Sequence, residues 1–144
     1  MGLLGKVFGG APAKKASDDV LLLHSMILMA GADGVLEGAE VATLEAFINT
    51  LPEFRHAEFG HQMEAAKKLA NKFNNPKEAV QALKDISSEH VRRKAFVLAA
   101  DIALASGDVD ETEEELLEAM QRVLGIDDAM ASKIIEVLAL KYAK

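Results

Sequence analysis

The chain contains no cysteine. This excludes disulfides, zinc-thiolate sites and thiol nucleophiles, and it fits a reducing cytosol. No run is long enough to span a membrane. The longest uncharged stretch, Val20 to Ala32, has 13 residues, short of the ~18 a spanning helix needs, and reads as a buried helix. No signal-peptide cleavage pattern follows it. The opening MGLLGK fails the myristoylation pattern, because Lys6 stands where Ser or Thr is required. A glycine-serine nucleophile elbow, a phosphate loop and a dinucleotide turn are all missing, so an enzyme is not expected. Basic residues are outnumbered, 16 to 23. The resulting net charge of −7 argues against a nucleic-acid partner. No alternating strand pattern occurs anywhere.

What is present is apolar and periodic. Half of the 144 residues are hydrophobic, enough for one domain with a real core. Two stretches share a design: SMILMAGADGVLEGAEVATLEAF from Ser25, and LAADIALASGDVDETEEELLEAM from Leu98. In each, an apolar helix runs into a glycine turn and a second helix opens in acid. They align at an offset of 73 residues, with Ala30, Ala32, Gly34, Glu40, Leu44, Glu45 and Ala46 on Ala103, Ala105, Gly107, Glu113, Leu117, Glu118 and Ala119. Two copies are too few for a solenoid. They predict one all-α domain of about seven helices, in two halves related by a pseudo-twofold axis.

Residues 1–16 read as a flexible lead-in ahead of a domain over residues 17–144. Leu3, Leu4, Val7 and Phe8 beside Lys6 offer a weak membrane or partner anchor as the other reading. Ser17 is a cap for the first helix, with Asp18 and Asp19 in its first turn. That helix is apolar almost all round, so it should be central, and His24 within it reads as a core histidine bonded to a carbonyl. Gly31 and Gly34 break it. A second helix starts near Glu37, carries Leu44, Phe47, Ile48 and Leu51, and stops at Pro52. A third runs from about Arg55 to Phe73. Asn75-Pro76 opens a fourth with Val80, Leu83 and Ile86 inward. Ser87 or Ser88 starts a fifth, faced by Val91, Ala95, Leu98, Ala99 and Ile102 and expected against the first. Asp110 and Glu113 have capping-box spacing for the sixth. Asp127 or Asp128 caps the seventh, with Met130, Ile134, Val137 and Leu138 inward.

The chemistry concentrates in acid. Asp108, Asp110, Glu111, Glu113, Glu114, Glu115 and Glu118 put seven carboxylates in 11 residues without a cation. Like charges four apart on a helix cost about 0.2–0.5 kcal/mol per pair. The helix dipole returns about 0.3–1 kcal/mol per well-placed acid. The cluster is therefore tolerable without metal. The functional reading is a hard-cation site for calcium or magnesium, built from Asp108, Asp110 and Glu113 in the second copy and Asp33, Glu37 and Glu40 in the first. An EF-hand is excluded, because counting from Asp108 puts Glu113 at the obligatory glycine and Ala119 at the bidentate glutamate. Glu53-x-x-His56 and Glu58-x-x-His61 match a di-iron element in letters only. That site needs the motifs on facing helices, and here they are consecutive.

The segment Ala30 to Glu40 resembles the first acidic turn of the TerB family of tellurite-resistance proteins, and Ala105 to Glu113 resembles the second. The resemblance covers roughly residues 17–140. It implies an all-helical pseudo-twofold domain in a bacterial cytoplasm, peripheral at the inner membrane if partnered there, with a role in tellurite resistance and stress response. It implies cation binding through Asp33, Glu37, Glu40, Asp110 and Glu113. It also implies partners among other tellurite-resistance proteins, one of them membrane-embedded. One departure stands out: Ser106-Gly107 replaces the usual Asp-Gly, and Asp108 is the substitute carboxylate. The competing expectation is a metal-independent interaction module that uses the acidic surface. A tellurite reductase finds no support, since reduction needs thiols or a cofactor.

Overall fold

A computed structural model describes residues 16–32, 38–54, 59–105 and 107–144, with the side chains of 38–41, 43 and 59 left aside. The described residues form seven α-helices: α1 Asp18–Ala30, α2 Gly38–Ile48, α3 Phe59–Ala70, α4 Pro76–Val80, α5 Glu89–Ala105, α6 Glu111–Leu124 and α7 Asp128–Lys141. Two 3-10 turns, Pro52–Phe54 and Gln81–Asp85, join them, and no strand occurs among the described residues. The fold is all-α. The expected lead-in lies outside the described residues, apart from Ala16.

The α1 helix is the axis of the molecule. Every residue from Leu21 to Met29 is buried. It packs chiefly against α5 and α3, and also meets α2, α4, α6 and the Gln81–Asp85 turn. The expected pairing of the first and fifth helices is therefore present. It is close because α5 presents Ala95, Ala99, Ala100 and Ala103, all essentially inaccessible. A helix buried on all sides must satisfy its polar groups internally. His24 does so in part through Nε2, 2.9 Å from the Ala79 carbonyl oxygen. Ser25 donates its hydroxyl to the Leu22 carbonyl at 2.6 Å.

The helix starts follow the expected local chemistry. Ser17 accepts from the Val20 amide, Asn75 from Glu78, Asp127 from Met130 and Ser88 from Val91. A longer link joins the starts of α1 and α5. The Asp18 carboxylate accepts from the backbone amides of Ser87 at 3.0 Å and Ser88 at 3.2 Å, and from the Ser87 hydroxyl. Burial pushes the Asp18 carboxyl up. The Ser87 and Ser88 hydrogen bonds and the charge of Arg92 outweigh this and hold it below the usual carboxylate range.

Two expectations need correction. The fourth helix is not uniform: after Val80 it tightens into 3-10 geometry before Ile86 turns extended. In α7, Ala131 and Leu138 are buried and Met130 and Ile134 pack against the core as expected, whereas Val137 is 64% exposed. This helix has apolar residues on several sides, so its periodicity does not select one face. The start of the third helix at Arg55 falls outside the described residues.

Candidate functional site

The acidic site begins where α5 ends. Gly107 donates its amide to the Leu104 carbonyl at 3.0 Å. Its φ of 85° is a left-handed conformation that glycine adopts without a Cβ penalty. Val109 then packs against the core and fixes the strand of chain between Asp108 and Asp110. Asp110 caps α6. Its Oδ1 accepts from the Glu113 amide at 2.8 Å, and Glu113 Oε1 accepts from the Asp110 amide at 3.2 Å. This is a complete capping box.

Beyond the cap, α6 buries Leu116, Met120 and Leu124 and turns its acids outward. Asp108, Asp110, Glu111, Glu114, Glu115 and Glu118 are exposed, and Glu113 is half-buried. Gln121 secures the far end, donating to the Ile126 carbonyl at 3.1 Å and to Asp128 Oδ1 at 2.8 Å. Gly125, at φ 70°, closes the helix by donating to the Arg122 and Gln121 carbonyls.

The α6 helix stands as a ridge between two depressions. One, of about 590 Å³, lies toward α4 and includes Ala32, Lys77, Thr112, Glu115 and Arg122 in its walls. The other, of about 400 Å³, lies toward α7 and is bounded by Phe96, Leu117, Ile135, Glu114 and Glu136. Glu118 lines both.

The structure thus brings Asp110 and Glu113 together and places Asp108 two residues before them on the same exposed turn. In the first copy, Asp33 and Glu37 lie outside the described residues. Glu40 sits in the first turn of α2, and its side chain is not described. The donor set in the second copy has the right chemistry for a hard cation, being entirely carboxylate. Capping engages one oxygen of each carboxylate, and a carboxylate has about four lone-pair positions. Among the described residues, however, no three His, Asp or Glu side chains gather where they could hold a metal ion.

Sequence reasoning missed three polar features. Asp101, 9% exposed inside α5, accepts from Lys141 Nζ at 2.9 Å and from the Tyr142 hydroxyl, tying the end of α7 to α5. The Asp101 hydrogen bond raises the Lys141 amine above its ordinary value. The signal was an isolated acid in the apolar run Leu98 to Ala105. The second is Lys94, which reaches Glu53 Oε1 at 2.5 Å in a half-buried pair. Burial raises the Glu53 carboxyl, but the Lys94 hydrogen bond and charge bring it below its ordinary value. The neighbouring Asp19 is raised by burial and by the charges of Glu53 and Asp18. The third is the Asp18 link to Ser87 and Ser88.

No helix among the described residues is long and apolar enough to cross a membrane. Comparison with known proteins was informative at the family level. No curated protein and no solved structure matches the chain. A family model described as "Tellurite resistance protein TerB" matches residues 20–135, from within α1 into α7, and so takes in both acidic turns and the helices that carry them. The chain belongs to the TerB family of tellurite-resistance proteins.

Proposed function

We propose that this chain is a non-enzymatic binding protein of tellurite resistance and stress response, acting through the acidic face of α6 and the turn before it. The reading places it in the cytoplasm, in contact with other tellurite-resistance proteins, one of them membrane-embedded. It carries no nucleic acid. The observation that supports it is the run of six exposed carboxylates from Asp108 to Glu118, which spans the turn before α6 and its first two turns around a complete capping box. In the cation reading, Asp108, Asp110 and Glu113 would hold calcium or magnesium, with water completing the shell. Asp33, Glu37 and Glu40 would serve the same role in the first copy, and the two turns would be related by the pseudo-twofold axis.

The second reading, docking of a basic partner without metal, is favoured by one feature. The Asp110–Glu113 cap is complete with protein groups alone. A calcium titration followed by amide NMR separates the two. Saturable shifts confined to residues 33–40 and 106–114 support a cation site. Diffuse shifts that vanish in moderate salt overturn it, because they report screening. The absence of any cysteine weighs against a reductase. Turnover of tellurite with common electron donors would refute the non-enzymatic assignment.

A further inference from the structure

We propose that the groove between α6 and α7 docks a basic amphipathic helical segment of another protein. This deepens the docking half of the proposed function and does not depend on a bound cation. The floor of the groove is apolar: Phe96 and Ala131 are buried, and Leu117 and Ile135 are half-buried. At about 400 Å³ it has room for the anchor side chains of one helix face. Its rim carries three exposed carboxylates, Glu114, Glu118 and Glu136, and among the described residues neither lysine nor arginine lines it. The depression on the other flank of α6 differs in this respect, since Lys77 and Arg122 offset its acids.

An apolar floor within an anionic rim selects the occupant by charge complementarity. A nucleic acid or an anionic membrane surface would be repelled by the three glutamates. A second copy of this chain, meeting the groove through the same face, would set those glutamates against their own equivalents. A helix with leucine-like anchors flanked by Lys or Arg satisfies both the floor and the rim.

The test uses the full chain and a fluorescent peptide of about 15 residues, leucine and lysine at helical spacing. A matched peptide with glutamate for lysine is the control, and anisotropy is the readout. The lysine peptide should bind, and the glutamate peptide should not. The pair Glu114→Lys and Glu136→Lys should weaken binding about tenfold or more. The pair Glu45→Lys and Glu64→Lys, equally exposed and on α2 and α3, changes net charge by the same amount and should leave binding within about twofold. Equal loss in both pairs would overturn the proposal, since net charge alone would then explain it, and so would binding of the glutamate peptide. Each titration is run in chelator and again in excess calcium. Binding only in calcium would overturn the groove and leave a cation site standing. Equal binding in both conditions supports the groove whatever the NMR titration shows.

Discussion

Acidification should destabilise this protein through His24, well before its carboxylates titrate. The imidazole is wholly inaccessible. Its Nε2 faces the Ala79 carbonyl oxygen, an acceptor only, so Nε2 carries the proton. Nδ1 is buried with no hydrogen-bond partner among the described residues. A second proton there would place an unpaired charge between α1, α4 and the ring of Phe73, whose centroid lies 6.2 Å away. Burial therefore pushes the His24 imidazole below its ordinary value, with the Ala79 hydrogen bond opposing in part. In the unfolded chain the group protonates near pH ~6.5. Below that pH the unfolded state takes up a proton that the folded state refuses, so stability is full above it and falls as pH drops toward the depressed folded value. The steepest slope one group can give is about 1.4 kcal/mol per pH unit. Between pH ~7 and ~5 the loss should therefore reach about 1–2 kcal/mol, or several degrees in Tm for a domain of this size. Urea denaturation across that range measures it. His24→Gln should be less stable at pH ~8, having lost a fitted side chain, yet show a flatter pH profile. A wild-type stability that is level or rising on acidification, or an unchanged slope in the variant, would refute the reasoning.

Gly125→Ala should cost about 1 kcal/mol in chemical denaturation, because φ is 70° and nothing crowds the new Cβ, so backbone strain is the whole effect. Asp18→Ala should lower stability by about 2 kcal/mol, leaving two α5-start amides without their acceptor, while Asp18→Asn should recover about half of this. Lys94→Met should cost about 2 kcal/mol at neutral pH by leaving Glu53 beside Asp19 without its cation. A double-mutant cycle with Glu53→Gln should return a coupling of about 1 kcal/mol or more. Asp110→Ala should cost about 1 kcal/mol through loss of the cap. Asp110→Asn should retain most of that stability while weakening any calcium response seen by NMR, so the two variants separate the structural role from the cation role.

What could be read in the sequence was local. The Asp110–Glu113 box, the Asn75-Pro76 start and the Ser17 cap each depend on residues three apart, so spacing alone determines them, whereas the choice of Asp127 over Asp128 as the last cap came from the structure. His24 was legible as a core histidine because the run around it is apolar on every side. The features that escaped are set by tertiary geometry. Asp18 meets Ser87 across 69 positions, and Asp101 meets Tyr142 across 41. Neither separation carries a periodic signal. The inward placement of Val137 failed for a related reason: with Met130, Ile134, Ile135, Leu138 and Leu140 distributed around α7, only its neighbours decide which side is covered. The candidate site was legible as an acidic turn and helix start. Which acids are tied into the cap, and which face the grooves, depended on the packing of α6.

That division bears on function. The helix dipole favours acids within about the first turn of a helix and fades beyond it. Asp110 and Glu113 are further held by their reciprocal hydrogen bonds. Glu111, Glu113 and Glu114 stand in the first turn of α6, so folding alone accounts for the acids from Asp110 to Glu114. It does not account for Glu115 and Glu118. Each sits past the first turn, four residues from another glutamate, where like charges cost about 0.2–0.5 kcal/mol per pair, a cost that Arg122, four residues on, offsets for Glu118 but nothing at that spacing offsets for Glu115. Both line the depressions that flank the α6 ridge, Glu115 on the α4 side and Glu118 on both. On the proposed docking function, carboxylates that the helix dipole does not require and that border open grooves suit a cationic partner. On the docking reading, Glu115 and Glu118 can therefore be changed without touching the cap that Asp110 and Glu113 form.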